Sequence, residues 1–150
     1  MTPSDDPAAL DRFLAAQEGT HDIALAELTR GRKQSHWMWF IFPQLRGLGR
    51  SSMAHHYGIA DLDEAQRYLA HPVLGSRLQA SAQAALAHPA SPVEVIFGPV
   101  DAAKLRSSAT LFAAAGGDSD VFDRLIETFF DGQPCAATQA RLGTGAPDQT

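Results

Sequence analysis

A chain of 150 residues is long enough to bury a core of its own, and an apolar fraction of 45% with a charged fraction of 19% is typical of one globular domain. The net charge of −5, with an isoelectric point near 5.6, disfavours nucleic acid and acidic membrane surfaces as partners unless basic residues cluster locally. A single cysteine, Cys135, excludes an intrachain disulfide and a thiolate metal cluster.

The chain starts with MTPSDDPAAL, which has neither the positive nor the apolar segment of a secretory signal, and no apolar run approaches the ~18 residues of a membrane span. We therefore expect a soluble, cytoplasmic protein. Residues 1–9 and 143–150 are predicted to be flexible, which leaves residues 10–142 as one domain.

The first half of the chain repeats a pattern of capping residue, apolar stripe and glycine stop, which is typical of short helices. After a first helix around Leu10 to Leu14, Thr20 is the expected cap of a second helix that Gly31 ends. That second helix is expected to bury the apolar side chains of Ile23, Leu25, Ala26 and Leu28. Further starts are predicted at Ser35 for a short helix over 36–42, at Met53, and at Asp61 with Glu64 three residues later.

The second half continues the same pattern. Helices are predicted to open at His71-Pro72 and at Ser91-Pro92, and Asp101 is the expected cap of the next helix, which stops at Gly116-Gly117. Asp118 or Ser119 is expected to start the most amphipathic helix, which Gly132 ends, and a last short helix is predicted over 136–142. Period-2 alternation is absent, so the sequence predicts an all-α, multihelical single domain of short unequal helices with no sheet.

Both tryptophans and a group of basic residues lie within residues 31–52, GRKQSHWMWFIFPQLRGLGRSS. Arg32, Lys33 and His36 stand beside Trp37 and Trp39, a combination in which aromatic faces stack on bases while cations take phosphates. The alternative is that the tryptophans are core residues.

Two further stretches are candidates for an anion site. In the loop Gly47-Leu48-Gly49-Arg50-Ser51-Ser52, glycines let backbone N–H groups face one point ahead of a helix start; the alternative is a loop with a capping serine. Lys104 and Arg106 lie in the first turns of a helix, where the dipole disfavours cations and a bound anion would compensate. The alternative is that they pair with acidic side chains elsewhere.

Metal binding and serine nucleophiles find no support in the sequence. His55 and His56 are adjacent, so their side chains diverge on a helix, and no HExxH, CxxC or Asp-rich calcium loop is present. Ser107 and Ser108 lack a GxSxG context. We expect neither a metal nor a cofactor.

Several of these motifs together resemble one bacterial family. The segments are GRK at 31–33, HWMWFIFPQ at 36–44, GLG at 47–49, HPVLG at 71–75, IFG at 96–98 and KLRSS at 104–108, and they resemble domain of unknown function 1810 from about residue 10 to about residue 142. The resemblance implies an all-helical single domain, like the mycobacterial-type structures known for the family, and no settled activity. Some members are labelled calpastatin, but inhibitors of that kind are disordered repeat-containing chains, unlike this compact sequence.

The chain departs from the family pattern at three positions. Val100, Ala102 and Ala109 stand where Pro, Asp and Met are usual. The absence of a second acid beside Asp101 weakens a role for a carboxylate pair there.

Our leading hypothesis is a pocket between residues 31–52 and 101–108 that binds a small phosphorylated, nucleotide-like ligand of the ADP-ribose type. The predicted ligand-binding residues are Arg32, Lys33, Trp37, Trp39, Gln44, Gly47, Gly49, Arg50, Ser51, Lys104, Arg106, Ser107 and Ser108. His36 or Asp101 would be the acid or base in a catalytic version of this hypothesis. Two alternatives stay open: a helical interaction module, as a homodimer or with another protein, that uses WMWFIFP as its anchor, and a purely structural segment of core and ion pairs.

Overall fold

The computed structural model describes residues 7–49, 51–116 and 120–143, with side chains from residue 10, and within these ranges the chain is all-α. The helices are α1 (Pro7–Gln17), α2 (His21–Arg30), α3 (Met38–Ile41), α4 (Ser52–His56), α5 (Leu62–Ala70), α6 (Leu74–Leu86), α7 (Val93–Phe97), α8 (Pro99–Ala115), α9 (Val121–Phe130) and α10 (Ala136–Leu142). Leu45 and Ile59 form one isolated parallel bridge and belong to no sheet. The predicted fold class is confirmed.

The longest helix, α8, lies at the centre of the domain. It packs against α5, α7, α9 and α10, and all residues from 107 to 112 are buried, so the helix is enclosed on most sides. Many of its residues are alanine or serine, whose small side chains let neighbouring helices approach closely. These contacts fix the position of α8 among its neighbouring helices.

An aromatic row connects four helices through the core. Phe13 of α1 contacts Tyr68 of α5 edge-on at 5.1 Å, Tyr68 contacts Phe112 of α8 at 5.3 Å, and Phe112 contacts Phe122 of α9 at 5.7 Å between ring centroids. The buried Tyr68 hydroxyl accepts a hydrogen bond from Gln17 Nε2 at 3.0 Å, so its polar atom is satisfied. Burial of such rings stabilises a fold by roughly 1.5–3 kcal/mol each.

Several predicted helix boundaries match the structure. Gly31 ends α2 with a φ of 80°, the left-handed conformation that glycine adopts without steric cost. Asp61 caps α5, because its Oδ1 accepts a hydrogen bond from the Glu64 N–H at 2.9 Å. The last helix has the predicted bounds, 136–142.

Other boundaries differ from the prediction. α1 starts at Pro7, so part of the segment 1–9 that was expected to be flexible is helical, whereas residues 1–6 and 144–150 lie outside the described residues. The expected starts at Asp118 and Ser119 also lie outside them. Asp101 does not cap α8, because Pro99 already occupies the first helical turn and Gly98 precedes it.

The buried face of α2 was predicted correctly for Leu28 and incorrectly for Ile23 and Ala26. Ile23 is 51% exposed and Ala26 is also exposed, whereas Ala24, Glu27 and Leu28 are buried. Glu27 is a charged residue on the inward face, where charges are rarely found unless they are paired. Its partners are described in the next section.

The junction of α5 and α6 depends on a close backbone approach at Gly75. A Cβ atom at this position would overlap the carbonyl oxygen of Leu69. Only glycine fits between the two helices at that point.

In the described part of the chain, none of the helices combines the length and the hydropathy that a membrane crossing requires.

Candidate functional site

The buried carboxylate of Glu27 organises the segment that follows α2. Its Oε1 accepts hydrogen bonds from the backbone N–H of Gln34 at 2.7 Å and of Ser35 at 2.9 Å, and from Trp37 Nε1 at 3.0 Å. Its Oε2 accepts a fourth from Ser35 Oγ at 2.6 Å. Ser35 therefore donates to this carboxylate and does not cap a helix as predicted. The four hydrogen bonds hold residues 34–37 against α2.

These hydrogen bonds determine the protonation state of Glu27. Burial alone would raise its pKa, but the hydrogen bonds from Ser35, Gln34 and Trp37 outweigh burial and lower the pKa to about 2. The side chain is therefore an anion at neutral pH, although only 3% of the residue is exposed.

The two segments that were predicted to form a site, residues 31–52 and 101–108, meet at Asp101. Lys33 Nζ lies 2.9 Å from Asp101 Oδ2, and Lys104 Nζ lies 3.4 Å from Asp101 Oδ1. The backbone N–H of Lys33 also donates to the carbonyl oxygen of Ile96 at 2.6 Å, just before the start of α8. Since the chain contains only two lysines, both are placed on one carboxylate.

Each of the two lysines also lies over a tryptophan ring. Lys104 Nζ is 4.7 Å from the centre of the Trp39 ring, and Lys33 Nζ is 4.9 Å from that of Trp37. The two rings differ in access, because Trp37 is fully buried whereas Trp39 is partly exposed. Trp37 therefore has a structural role, as one of our alternatives expected, and Trp39 is the indole of this pair that a ligand can reach. We refer to Lys33, Trp39, Asp101 and Lys104 as the Trp39 cluster.

The two other polar residues predicted for this region are on the surface. Arg32 and His36 are exposed, and they flank Lys33 and Trp37 in the chain. Arg32 is tied down through its backbone N–H, which donates to the Glu27 carbonyl oxygen at 3.1 Å. No ion pair of either side chain is seen among the described residues.

The remaining predicted residues of α8 face away from the Trp39 cluster or into the core. Arg106 Nε donates to the carbonyl oxygen of Gln133 at 2.7 Å, and its guanidinium lies 5.6 Å from the ring centre of Phe130. Ser107 is buried, and its Oγ contacts the sulfur of Cys135 at 3.4 Å. Ser108 is buried too. Arg106 and Ser107 thus contact residues 130–135, whereas Ser108 lies in the core.

The glycine loop lies at the other end of the segment 31–52. Ser51 Oγ accepts the Ala54 N–H at 3.0 Å, so it caps α4 as the alternative reading of this loop expected. Gln44 contributes its carbonyl oxygen to a hydrogen bond from Ile59 N–H at 2.8 Å. Gly47 has a φ of 101°, Gly49 lies close to Ala54, and Arg50 lies outside the described residues.

The sequence analysis did not identify two arginines beside this loop. Arg46 and Arg141 line one cleft, and the guanidinium of Arg141 packs directly against Gly47. Arg46 lies inside the segment that was singled out, but nothing in the sequence near residue 141 indicates that the last helix returns to residue 47. Glu27 was missed as well, since a lone acid in a helix is usually solvated.

The WMWFIFP segment is part of the core. Six of its seven residues are buried, and only Trp39 is partly exposed. Trp39 is therefore the one aromatic ring of this segment that is left for the anchor of the interaction-module hypothesis.

Metal coordination has no candidate in the described part of the chain, where no group of three or more His, Cys, Asp or Glu side chains is placed to hold an ion.

The comparisons with known proteins agree with this architecture. A family model described as protein of unknown function (DUF1810) matches residues 7–142. Among solved structures, the chain is similar to the conserved hypothetical protein Rv1873 from Mycobacterium tuberculosis, with 45% sequence identity and a TM-score of 0.89, over 92% of this chain and 99% of that one. No curated protein matches the chain.

Proposed function

The chain belongs to the DUF1810 family, and we propose that it binds a small phosphorylated, nucleotide-like ligand of the ADP-ribose type at the Trp39 cluster. The observation that carries this proposal is the position of Lys104 over the partly exposed Trp39 ring, with Asp101 joining Lys104 to Lys33. Two cations and an accessible indole, contributed by segments more than 60 residues apart in the chain, occupy one place.

The chemistry of the cluster fits the two parts of a nucleotide. A flat base can stack on the exposed part of Trp39, a contact that is worth roughly 1–3 kcal/mol per base. The ammonium groups of Lys33 and Lys104 are the donors for phosphate, and Arg32 and His36 lie on the adjacent exposed surface. His36 and Asp101 are the acid and base candidates if the bound ligand is turned over.

In the free protein, Asp101 competes with a ligand phosphate for both lysines. Lys33, Lys104 and Asp101 together carry a charge of +1. This sum does not include the buried carboxylate of Glu27. A phosphate dianion that approaches the cluster would share the ammonium groups with Asp101 or displace it. The carboxylate should therefore weaken the binding of anions in the wild-type chain.

The proposal is tested by titrating ADP-ribose, NAD and AMP into the protein while tryptophan fluorescence and the heat of binding are measured. Trp39→Ala should weaken binding roughly tenfold, because the stacking surface is lost, and it should remove most of the fluorescence response, because Trp37 is enclosed. Lys104→Met should weaken binding to a similar degree. Arg124→Met is the matched control, since Arg124 is an exposed cation on α9 outside the cluster. No response to millimolar ligand in the wild type would count against the proposal.

Asp101→Asn tests whether the Asp101 carboxylate weakens the binding of anions. Removal of the competing carboxylate should strengthen the binding of ADP-ribose, by roughly threefold to tenfold. The same substitution leaves the nearly buried Lys33 with the Ser35 carbonyl oxygen but without a carboxylate partner, and it should lower the free energy of unfolding by about 1–3 kcal/mol. Unchanged or weaker ADP-ribose binding in a folded Asp101→Asn protein would mean that the lysines do not take the phosphate.

A further inference from the structure

A polar cleft, separate from the Trp39 cluster, lies where the end of α10 meets the start of α5. Its volume is about 590 Å³. The residues that matter to its chemistry are Leu45, Arg46, Asp61, Leu62, Arg141 and Leu142. It shares no lining residue with the Trp39 cluster.

In the described part of the chain, both arginines of the cleft have guanidinium N–H groups without a hydrogen-bond partner. Arg46 uses its Nε for the carbonyl oxygen of His55 at 3.0 Å, which holds the guanidinium in place, and among the described residues neither of its Nη groups has a hydrogen-bond partner. Arg141 is exposed, and no hydrogen bond of its guanidinium is seen among the described residues. Within the same part of the chain, no carboxylate lies within 4.0 Å of either guanidinium.

Not every arginine of the fold is available in this way. Arg12, for example, is paired with the buried Glu64 at 3.1 Å and also donates to two backbone carbonyl oxygens. Arg46 and Arg141 line one cleft, and neither guanidinium is paired with a carboxylate in the described part of the chain, so both are available for an oxyanion. Gly47 contributes to this arrangement, since any Cβ at residue 47 would overlap the Arg141 guanidinium.

We propose that this cleft binds a small organic phosphate whose body carries hydroxyl groups, such as a sugar phosphate. The forks of Arg46 and Arg141 match the geometry of phosphate oxygens, which accept two parallel N–H bonds. Asp61 uses Oδ1 for its helix cap, and its Oδ2 has no hydrogen-bond partner within the described ranges. The Asp61 carboxylate repels a bare phosphate, whereas it can accept a hydrogen bond from a sugar hydroxyl. Leu45, Leu62 and Leu142 supply apolar surface for the carbon skeleton.

The test uses ribose 5-phosphate, inorganic phosphate and ribose as probes, with binding followed by calorimetry and by the phosphorus NMR signal. Wild-type protein should bind ribose 5-phosphate more tightly than inorganic phosphate, and ribose not measurably. Arg141→Met should weaken the binding of ribose 5-phosphate about tenfold or more, because a charge-assisted hydrogen bond is lost. Arg124→Met should leave it unchanged. Asp61→Asn should reduce the preference for ribose 5-phosphate over inorganic phosphate.

Arg141→Lys keeps the charge without the fork and should fall between the wild type and Arg141→Met, so the result does not depend on one variant. The proposal is overturned by equal effects of Arg141→Met and Arg124→Met, or by no binding of ribose 5-phosphate at millimolar concentration. Ribose 5-phosphate has no base to stack on Trp39, so failure here is distinguishable from failure of the ADP-ribose proposal, which is measured by tryptophan fluorescence.

Discussion

Replacement of Glu27 tests how the segment that carries Lys33 and Trp37 is held. Glu27→Gln removes the charge but keeps the shape, because a carbonyl oxygen at the Oε1 position still accepts from Gln34, Ser35 and Trp37. Glu27→Ala removes every acceptor. The two variants therefore separate the contribution of the charge from that of the whole network.

The magnitude follows from the pKa of the carboxyl group. A pKa of about 2, against an ordinary value of 4.5, corresponds to about 3 kcal/mol of stability when the group is ionised. Because the folded-state pKa is the lower one, this contribution is fully present above pH 4.5 and is lost as the pH falls towards 2. Glu27→Gln resembles the protonated form, so it should lose about 3 kcal/mol at pH 7 and roughly half of that at pH 3. Glu27→Ala also strands buried donors and should lose about 3–5 kcal/mol at pH 7.

The assay is urea unfolding of the wild type and both variants at pH 7, 5, 4 and 3, followed by tryptophan fluorescence. The difference between wild type and Glu27→Gln is the informative quantity, since the other carboxyl groups titrate in both proteins and cancel. A difference that does not change with pH, or a loss below about 1 kcal/mol for Glu27→Gln at pH 7, would refute the reasoning.

Two further predictions concern the packing that supports the site. Arg12→Met should lower the free energy of unfolding by about 3–5 kcal/mol, because it removes the ion-pair partner of the buried Glu64 carboxylate. Arg67→Met removes a pair in which Arg67 is partly exposed and Asp63 is exposed, and it should cost less than about 1 kcal/mol. Urea unfolding of both variants measures the two losses, and equal losses would contradict the prediction. Gly75→Ala should destabilise the protein by about 1–3 kcal/mol because of the Leu69 carbonyl, although glycine to alanine inside a helix ordinarily stabilises; a raised melting temperature would show that α5 and α6 are not in close contact.

The helices could be predicted from the sequence because their signals are local. Gly31 and Asp61 act through their own conformation or hydrogen bonds within one helical turn, and both have the predicted role. The inward face of α2 was missed because its determinant is not local. Glu27 is buried only because four donors from residues 34–37 converge on it, and a helical pattern cannot show that loop.

The candidate site was predictable in part for the same reason. The enrichment of basic and aromatic residues marked the segments that hold Lys33, Trp39 and Lys104, but it could not distinguish the enclosed Trp37 from the accessible Trp39. The cleft of Arg46 and Arg141 depends on the return of α10 to residue 47, a tertiary contact between positions almost 100 residues apart.

The most direct measurement of ligand binding at the Trp39 cluster is the pair of indole N–H signals in a ¹⁵N-labelled sample during titration with ADP-ribose. Trp39→Phe assigns the two signals. The account predicts that the Trp39 signal shifts progressively with ligand, whereas the Trp37 signal, whose N–H is bonded to the buried Glu27, stays in place. If neither signal moves at millimolar ADP-ribose, or if only the Trp37 signal does, the Trp39 cluster is not the binding site.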